Sequence, residues 1–322
     1  MTQHFSKRPA DAPLSERNPR VVSAVKLHRG AQRRKTGLFL AEGSNSVAAA
    51  LDTGRVEELF FSGRAAEREH ELVASAAASG VRTTLVNDRA AEQLGETVTP
   101  PGLVAVCRQV DVPLGQVLRS ELSAGSDSGA GAEPRGGSGE HAGTAMAVTT
   151  QLESRSATVD HRHMALAGAR LLAVPVEISD PGNAGTLIRV ADAVGADGVV
   201  LAGDSVDPHN GKCVRACAGS LFHVPLARER DTDSVLTDLR TAGITILATT
   251  ARGEVDLDDA DEILRHPVAW LFGNEAHGLP PSVAAQADHR IRIPIHGRAE
   301  SLNLAAAAAI CLYASSRVQH RG

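Results

Sequence analysis

Short apolar runs alternate with amphipathic stretches along most of this 322-residue chain. In the second half, runs at Leu171–Val176, Gly198–Leu201, Phe222–Val224, Ile244–Ala248, Val268–Phe272 and Arg290–Ile293 predict strands. Helical patterns separate them at Ala184–Val194, Lys212–Ala218, Asp231–Thr241 and Pro281–Ala287, and a long one covers Leu302–Arg317. Such alternation predicts a mostly parallel sheet covered on both faces, with ligands beyond the carboxyl ends of its strands.

The first half predicts a smaller α/β unit. Strands are expected at Gly37–Gly43, Val56–Phe61, Val81–Val86 and Leu103–Arg108, and a basic helix at Pro19–Arg34. Ser44 is placed to cap a helix through Leu51, and Glu67–Ser79 reads as an Ala-rich helix closed by Gly80. Between the halves, the 26 residues Ser120–Ala145 hold seven Gly, five Ser and five Ala, with Leu122 the only large apolar residue. That composition buries too little surface to offset backbone ordering. The expected domains are therefore a basic flexible tail at 1–17, an α/β domain at 18–112, a flexible linker at 113–169 and a parallel-sheet domain at 170–320. A short helix is possible near the end of Met146–Ala169.

Charge changes this picture. The net charge is −5, yet residues 1–36 hold nine basic and only two acidic side chains. A polyanion would be met by Arg20, Lys26, Arg29, Arg33, Arg34 and Lys35, unless this is only a solvated basic tail. With six Phe, one Trp and one Tyr, a row of bases stacked on aromatics is not expected. No apolar run is long enough to span a membrane, and the start lacks a secretory core, so a cytoplasmic protein is expected. Four cysteines are too few and too irregular for a disulfide framework. His209, Cys213 and Cys217 fall at helical spacing but lack an evident fourth ligand, and the acidic run Asp256–Glu262 lacks calcium-loop spacing, so no metal is expected. No Gly-x-Gly-x-x-Gly follows the first strand, against a dinucleotide-dependent dehydrogenase.

Three loops after strands are unusual. In Ile178–Arg189, Pro181 and Gly182 force a turn, Asn183 is placed as a helix cap, and Arg189 is expected in the second turn of that helix. In Gly273–Pro280, glycines bracket Asn274, Glu275 and His277, leaving backbone groups open to a nucleoside. In Ile291–Leu304, Ser301 or Asn303 reads as the cap of an alanine-rich helix. Taken singly, each also reads as a surface arginine, an ordinary turn and an ordinary cap.

Together, the three resemble the signature motifs of the SpoU (TrmH) family of RNA ribose 2′-O-methyltransferases. Asn183 with Arg189, Gly273–Leu279, and Ile293–Ala309 match in order and at compatible spacing. Asp207, Arg215, Gly219, Ser220 and Phe222 also fall where members have similar residues. Asn18–Val21, Leu38–Gly43 and Thr99–Val106 resemble the ribosomal-protein-like substrate-binding domain of the ribosomal members. The long linker departs from the family's pattern and leaves the placement of the two domains open.

The resemblance implies a trefoil-knotted parallel-sheet methyltransferase domain preceded by the smaller α/β domain. It further implies a homodimer with the active site near the interface, which the thin alanine face suits, and S-adenosylmethionine as methyl donor. Gly273, Ile293 and Leu302 would line the cofactor, with Asn274 and Ile295 nearby. Arg189 would be catalytic, either as the base the family proposes or as a clamp on an RNA phosphate. Asn183, Glu275, Ser301 and Asn303 would fix arginine and ribose by hydrogen bonds, and Arg215 would join the RNA-binding cations. The implied reaction is methyl transfer to a ribose 2′-hydroxyl of 23S ribosomal RNA. The same reaction on transfer RNA, a non-catalytic RNA-binding assembly factor, and protection against a ribosome-targeting antibiotic remain open at this level.

Overall fold

The computed structural model describes residues 12–97, 100–119 and 168–321. Residues 1–11, Thr99, the Ser120–Ala145 segment and the possible helix near the end of Met146–Ala169 lie outside the described residues, apart from Gly168 and Ala169.

The first domain contains α1 (Pro19–Val25), α2 (Gly30–Thr36), β1 (Leu38–Glu42), α3 (Ser44–Asp52), β2 (Val56–Ser62), α4 (Gly63–Arg68), α5 (His70–Ala78), β3 (Arg82–Val86), α6 (Asp88–Leu94) and β4 (Leu103–Arg108). Its sheet runs β1-β4-β2-β3, with β4 antiparallel to both neighbours and β3 parallel to β2. Successive strand residues face opposite sides. Val104 and Val106 pack with Leu40 and Phe60 under Val21 and Ala24 of α1 and Ala90, Ala91 and Leu94 of α6. Leu103, Ala105 and Cys107 join Phe39 and Leu59 in a core that continues into the second domain.

After β4 the chain passes onto that second domain. The Val112 amide donates to the Leu226 carbonyl at 2.8 Å, and α7 (Leu114–Arg119) follows. The remaining elements are β5 (Leu171–Pro175), α8 (Pro181–Ala193), β6 (Gly198–Ala202), α9 (Gly211–Cys217), β7 (Leu226–Glu229), α10 (Thr232–Thr241), β8 (Thr245–Thr249), β9 (Val255–Asp256), α11 (Asp261–Leu264), β10 (Val268–Phe272), α12 (Pro281–Ala284), β11 (His289–Arg292) and α13 (Leu304–Gln319). The sheet runs β7-β6-β5-β10-β8-β11-β9, and its strand pairs are parallel. Helices α8, α9, α11 and α13 cover one face; α7, α10 and α12 cover the other. Parallel strands buried on both faces explain the continuous apolar runs. Trp270 of β10 is fully buried, and its indole N–H donates to Ser315 Oγ at 2.8 Å, which ties α13 to the central strand.

The placement left open by the linker is settled by the shared core. The Phe39 and Phe222 rings stack with centroids 5.8 Å apart. Gly219, at φ +105°, lets the backbones close: a Cβ there would lie 3.1 Å from the Asn45 carbonyl oxygen.

Several expectations are corrected. The basic helix breaks at Arg29, whose extended backbone separates a tight turn at Lys26–His28 from α2. Ser44 is the first residue of α3 rather than its side-chain cap. The Glu67–Ser79 helix is two shorter ones, α4 and α5, while α6 and β9 went unread. Phe222–Val224 is no strand; Ser220–Phe222 is a tight turn, apolar because it fills the seam between domains, and the strand begins at Leu226. The linker does not start at 113, because Val117 of α7 is fully buried and packs on Gly198. The tail does not extend to 17 either, since the Leu14 amide donates to the Leu85 carbonyl at 2.9 Å and extends the β3 edge.

Candidate active site

The carboxyl ends of β8, β10 and β11 open into a pocket of about 700 Å³, lined among others by Thr249, Gly273, Leu279, Ile291, Ile293 and Leu302. This is where a parallel sheet leaves room for a ligand, because adjoining strands send their loops apart. Asn183, Asn274, Glu275, Ile295, Ser301 and Asn303 also line it. Nine of the ten residues expected at the catalytic and cofactor sites thus share one cavity; the exception is Arg189.

Local sequence builds each wall. Helix α8 is capped by Asp180, whose Oδ1 accepts from the Asn183 amide at 2.8 Å, with Pro181 in the first helical position. Asn183 is therefore not the cap, and its side chain is left to face the pocket. The earlier start also moves Arg189 into the third turn. The Asp180 carboxyl is held below its usual range by the Lys212 ammonium, 2.6 Å from Oδ2, and by the Asn183 amide. At the far wall Asn303 caps α13, its Oδ1 accepting from the Ala305 and Ala306 amides; Ser301 does not.

A line of hydrogen bonds joins the three loops. Asn303 Nδ2 donates to Asn183 Oδ1 at 3.1 Å, and Asn183 Nδ2 donates to Glu275 Oε1 at 3.2 Å. Glu275 also accepts from the Ser179 and Asp180 amides, both at 3.1 Å. Partial burial opposes ionisation of Glu275, but these donors outweigh it and hold its carboxyl below the usual range. A carboxylate engaged this way is a support for the loop, and a weak proton acceptor.

The second loop is a tight hairpin. Asn274 and Gly278 exchange both backbone hydrogen bonds, at 3.0 and 2.8 Å. Gly273 is required there, because a Cβ would run into the Leu279 amide and the Gly278 backbone. With apolar walls at Ile291, Ile293, Leu279 and Leu302 and the polar Asn183, Glu275 and Asn303 also in its lining, the cavity has the size and chemistry for a nucleoside-bearing cofactor.

The expected RNA-binding cations divide into two sets. Lys26, Arg29, Arg34 and Lys35 are exposed and make no ion pair among the described residues. Arg20 instead pairs with Glu58, and Arg215 pairs with Glu42 and Glu96 across the domain seam. Arg33 is only 4% exposed and pairs with Asp207. Arg33 is thus engaged inside the protein, whereas Arg20 and Arg215 pair with carboxylates while staying partly exposed. Arg189 is exposed on α8 and has no hydrogen bond or ion pair among the described residues. His209, Cys213 and Cys217 are buried and form no metal-binding cluster among the described residues. The sequence reading missed Asp180 and Lys212; Asp-Pro at a helix start was the available signal for the first.

Comparison with known proteins agrees with this geometry. Residues 170–313 match the SpoU rRNA Methylase family and residues 18–105 the MRM3-like substrate binding domain. The chain is 28% identical over 300 residues, 93% of its length and 96% of the relative's, to the Bacillus subtilis protein named 23S rRNA (guanosine(2553)-2'-O)-methyltransferase RlmP. An AdoMet-bound rRNA methyltransferase from Sinorhizobium meliloti superposes with TM-score 0.67 at 30% identity, covering 93% of this chain and 95% of that one. The SpoU methyltransferase AviRb from Streptomyces viridochromogenes, in complex with AdoMet, gives TM-score 0.69 at 25% identity, over 95% and 100%. The chain therefore belongs to the SpoU rRNA methylase family and is an S-adenosylmethionine-dependent RNA methyltransferase.

Proposed function

We propose that this protein methylates a ribose 2′-hydroxyl of 23S ribosomal RNA. The hydrogen-bond line from Asn303 through Asn183 to Glu275 carries the reading, because it fixes polar side chains of three loops at one edge of the cofactor-sized cavity. The first domain's match to a substrate-binding module and the 23S rRNA substrate named for the Bacillus relative favour the ribosomal target.

S-adenosylmethionine, when bound, supplies an activated methyl group. Gly273, Ile293, Leu302, Asn274 and Ile295 would form its walls. The chain's own task is then to orient a sugar oxygen and manage its proton. Asn183, Asn303 and Ser301 orient the ribose, with Glu275 holding Asn183 in place. Arg189 has no partner to give up among the described residues, and a guanidinium that stays protonated suits a clamp on the adjoining RNA phosphate better than a base. Lys26, Arg29, Arg34 and Lys35 hold the RNA backbone further out.

A homodimer completes the proposal. Ile310 and Tyr313, 40% and 66% exposed on the alanine-rich α13, are apolar surface for a second copy to cover. The family's trefoil knot would hold the loops around the cofactor. A cytoplasmic site of action fits a ribosomal substrate, and no helix among the described residues is long and apolar enough to cross a membrane.

The test is methyl transfer from labelled S-adenosylmethionine to 23S rRNA and to transfer-RNA transcripts, with ribose-methylation mapping in cells with and without the gene. One 2′-O-methyl lost from 23S rRNA on deletion is the expected result. Methylation of transfer RNA alone would replace the substrate, and binding without turnover would make the protein an RNA-binding factor.

A further inference from the structure

Asn274 stands in the pocket wall, yet its side chain is already spoken for. Nδ2 donates to the Glu177 carbonyl at 2.7 Å and to Ser179 Oγ at 2.8 Å, and Oδ1 accepts from the Ala276 amide at 2.9 Å. A carboxamide has only two N–H groups. Both are spent inside the protein, so none remains to donate to a bound ligand.

Its main partner has an unusual backbone. Glu177 is one of two non-glycine residues with positive φ among the described residues, at +54°. L residues with side chains disfavour that region, and such a conformation persists only where neighbours fix it. Two hydrogen bonds fix this one: the Glu177 amide donates to the Ala202 carbonyl at 2.9 Å, and its carbonyl accepts from Asn274. The reversed backbone sends the chain out of β5 into the Ser179–Asp180 turn, whose amides meet Glu275 and whose Asp180 carboxylate starts α8.

Neighbouring residues thus grip one loop by opposite chemistry. Asn274 donates hydrogen bonds to it; Glu275 accepts hydrogen bonds from it. Neither side chain can replace the other. We propose that Asn274 is a positioning residue that acts on the ribose side of the reaction, locking residues 177–183 so that Asn183 faces the pocket, rather than a side-chain ligand of the cofactor. This rests on the methyl-transfer reading above for its kinetic arm and is independent of it for its structural arm.

The experiment uses the full chain carrying Asn274→Asp, which turns both donors into acceptors, and Ser179→Ala, which removes one of the two bonds. The kcat for RNA methylation should fall roughly 10- to 30-fold in Asn274→Asp and about fivefold in Ser179→Ala, as expected for removing two bonds and one. The calorimetric Kd for S-adenosylmethionine should stay within about threefold of the parent, because the cofactor's own interactions are untouched. Amide hydrogen exchange at residues 177–183 should quicken in both variants. A rise in cofactor Kd that matches the fall in kcat would make Asn274 a cofactor ligand and overturn the proposal. Unchanged exchange in that loop would overturn it as well. Should Asn274→Asp fail to fold, Ser179→Ala decides: unaltered kcat and exchange reject the lock. If the parent protein binds cofactor but methylates no RNA, the proposed function fails while the exchange result still judges the lock.

Discussion

Arg33 and Asp207 meet across the seam between the two domains, with Nε and Nη2 of the guanidinium each 2.8 Å from Oδ2 of the carboxylate. Nη1 completes the strut by donating to the Leu27 and His28 carbonyls, both at 2.9 Å. This ion pair and the Phe39–Phe222 stack fix where the exposed cations of α2 sit relative to the pocket at the strand ends.

Removing Arg33 takes the closest cation from the half-buried Asp207 carboxylate, which keeps the His209 amide and the more distant Arg228, so Arg33→Met should cost about 1.5–3 kcal/mol of stability, measured by chemical denaturation. Acid should act on the same bond. Burial opposes ionisation of Asp207, but hydrogen bonds from His209 and Arg33 and the charge of Arg33 hold its carboxyl far below the usual range. A depressed folded-state value gives stability that is complete above the unfolded pKa of about 3.9 and is lost as pH falls below it. The parent should therefore lose more stability than Arg33→Met between roughly pH 4 and pH 2. Equal acid sensitivity would refute the role given to this pair.

Arg189 gives the opposite pattern. As an exposed side chain without a partner among the described residues it should be silent in folding, with Arg189→Ala within about 0.5 kcal/mol of the parent. Methyl transfer should nonetheless fall by about 100-fold or more if this residue clamps the phosphate beside the reacting sugar. Normal turnover in Arg189→Ala would remove it from the mechanism.

Glu275→Gln tests a carboxylate that works by accepting hydrogen bonds. Two backbone amides and Asn183 point at it, and one of its two oxygens would become an NH₂ group facing donors. We expect kcat to drop by roughly 10- to 100-fold, the range for hydrogen bonds to a charged group. Because its folded pKa is lowered, the parent carboxylate stays ionised through neutral pH and protonates only below the ordinary range near 4.3. An acid limb in the pH–rate profile above about pH 5 would have to come from another group.

Lys26, Arg29, Arg34 and Lys35 should behave as phosphate ligands. Replacing all four with Gln should weaken RNA binding and flatten the plot of log affinity against log salt by about 0.7–0.9 for each phosphate no longer neutralised. Fold stability should barely move. Arg33→Met should do the reverse, lowering stability with little change in the salt slope.

Gly185 controls the packing of α8 on α9. A Cβ there would overlap the Cys213 carbonyl oxygen, and it would sit 2.6 Å from Ala216 Cβ. Gly185→Ala should therefore cost about 1–3 kcal/mol in thermal or chemical unfolding, the range for an overfilled core. Unaltered stability would show that the helices separate freely.

The parallel sheet, the two-domain division and the three loops were legible because their signals are local. Apolar runs, turn glycines and capping residues act over a few positions, and Val268–Phe272 emerged with its predicted bounds. Where local signals competed, reading failed: Phe222–Val224 is apolar for the seam between domains, and Leu114–Arg119 adjoins a Gly-, Ser- and Ala-rich stretch of sequence whose composition masked its buried Val117.

Sequence alone determined where strands end and which loops follow them, through periodicity and turn chemistry, while the residues expected in the pocket came from the resemblance of those loops to the family's motifs. Tertiary structure decided what those residues do to one another. Asn303 and Asn183 are 120 positions apart, Asn183 and Glu275 are 92, and Arg33 and Asp207 are 174. Such pairings depend on the order in which strands enter a sheet and on which domain face is buried. Arg33 and Arg34 are neighbours of one kind in the chain, and only the packing makes one a strut and leaves the other open to solvent.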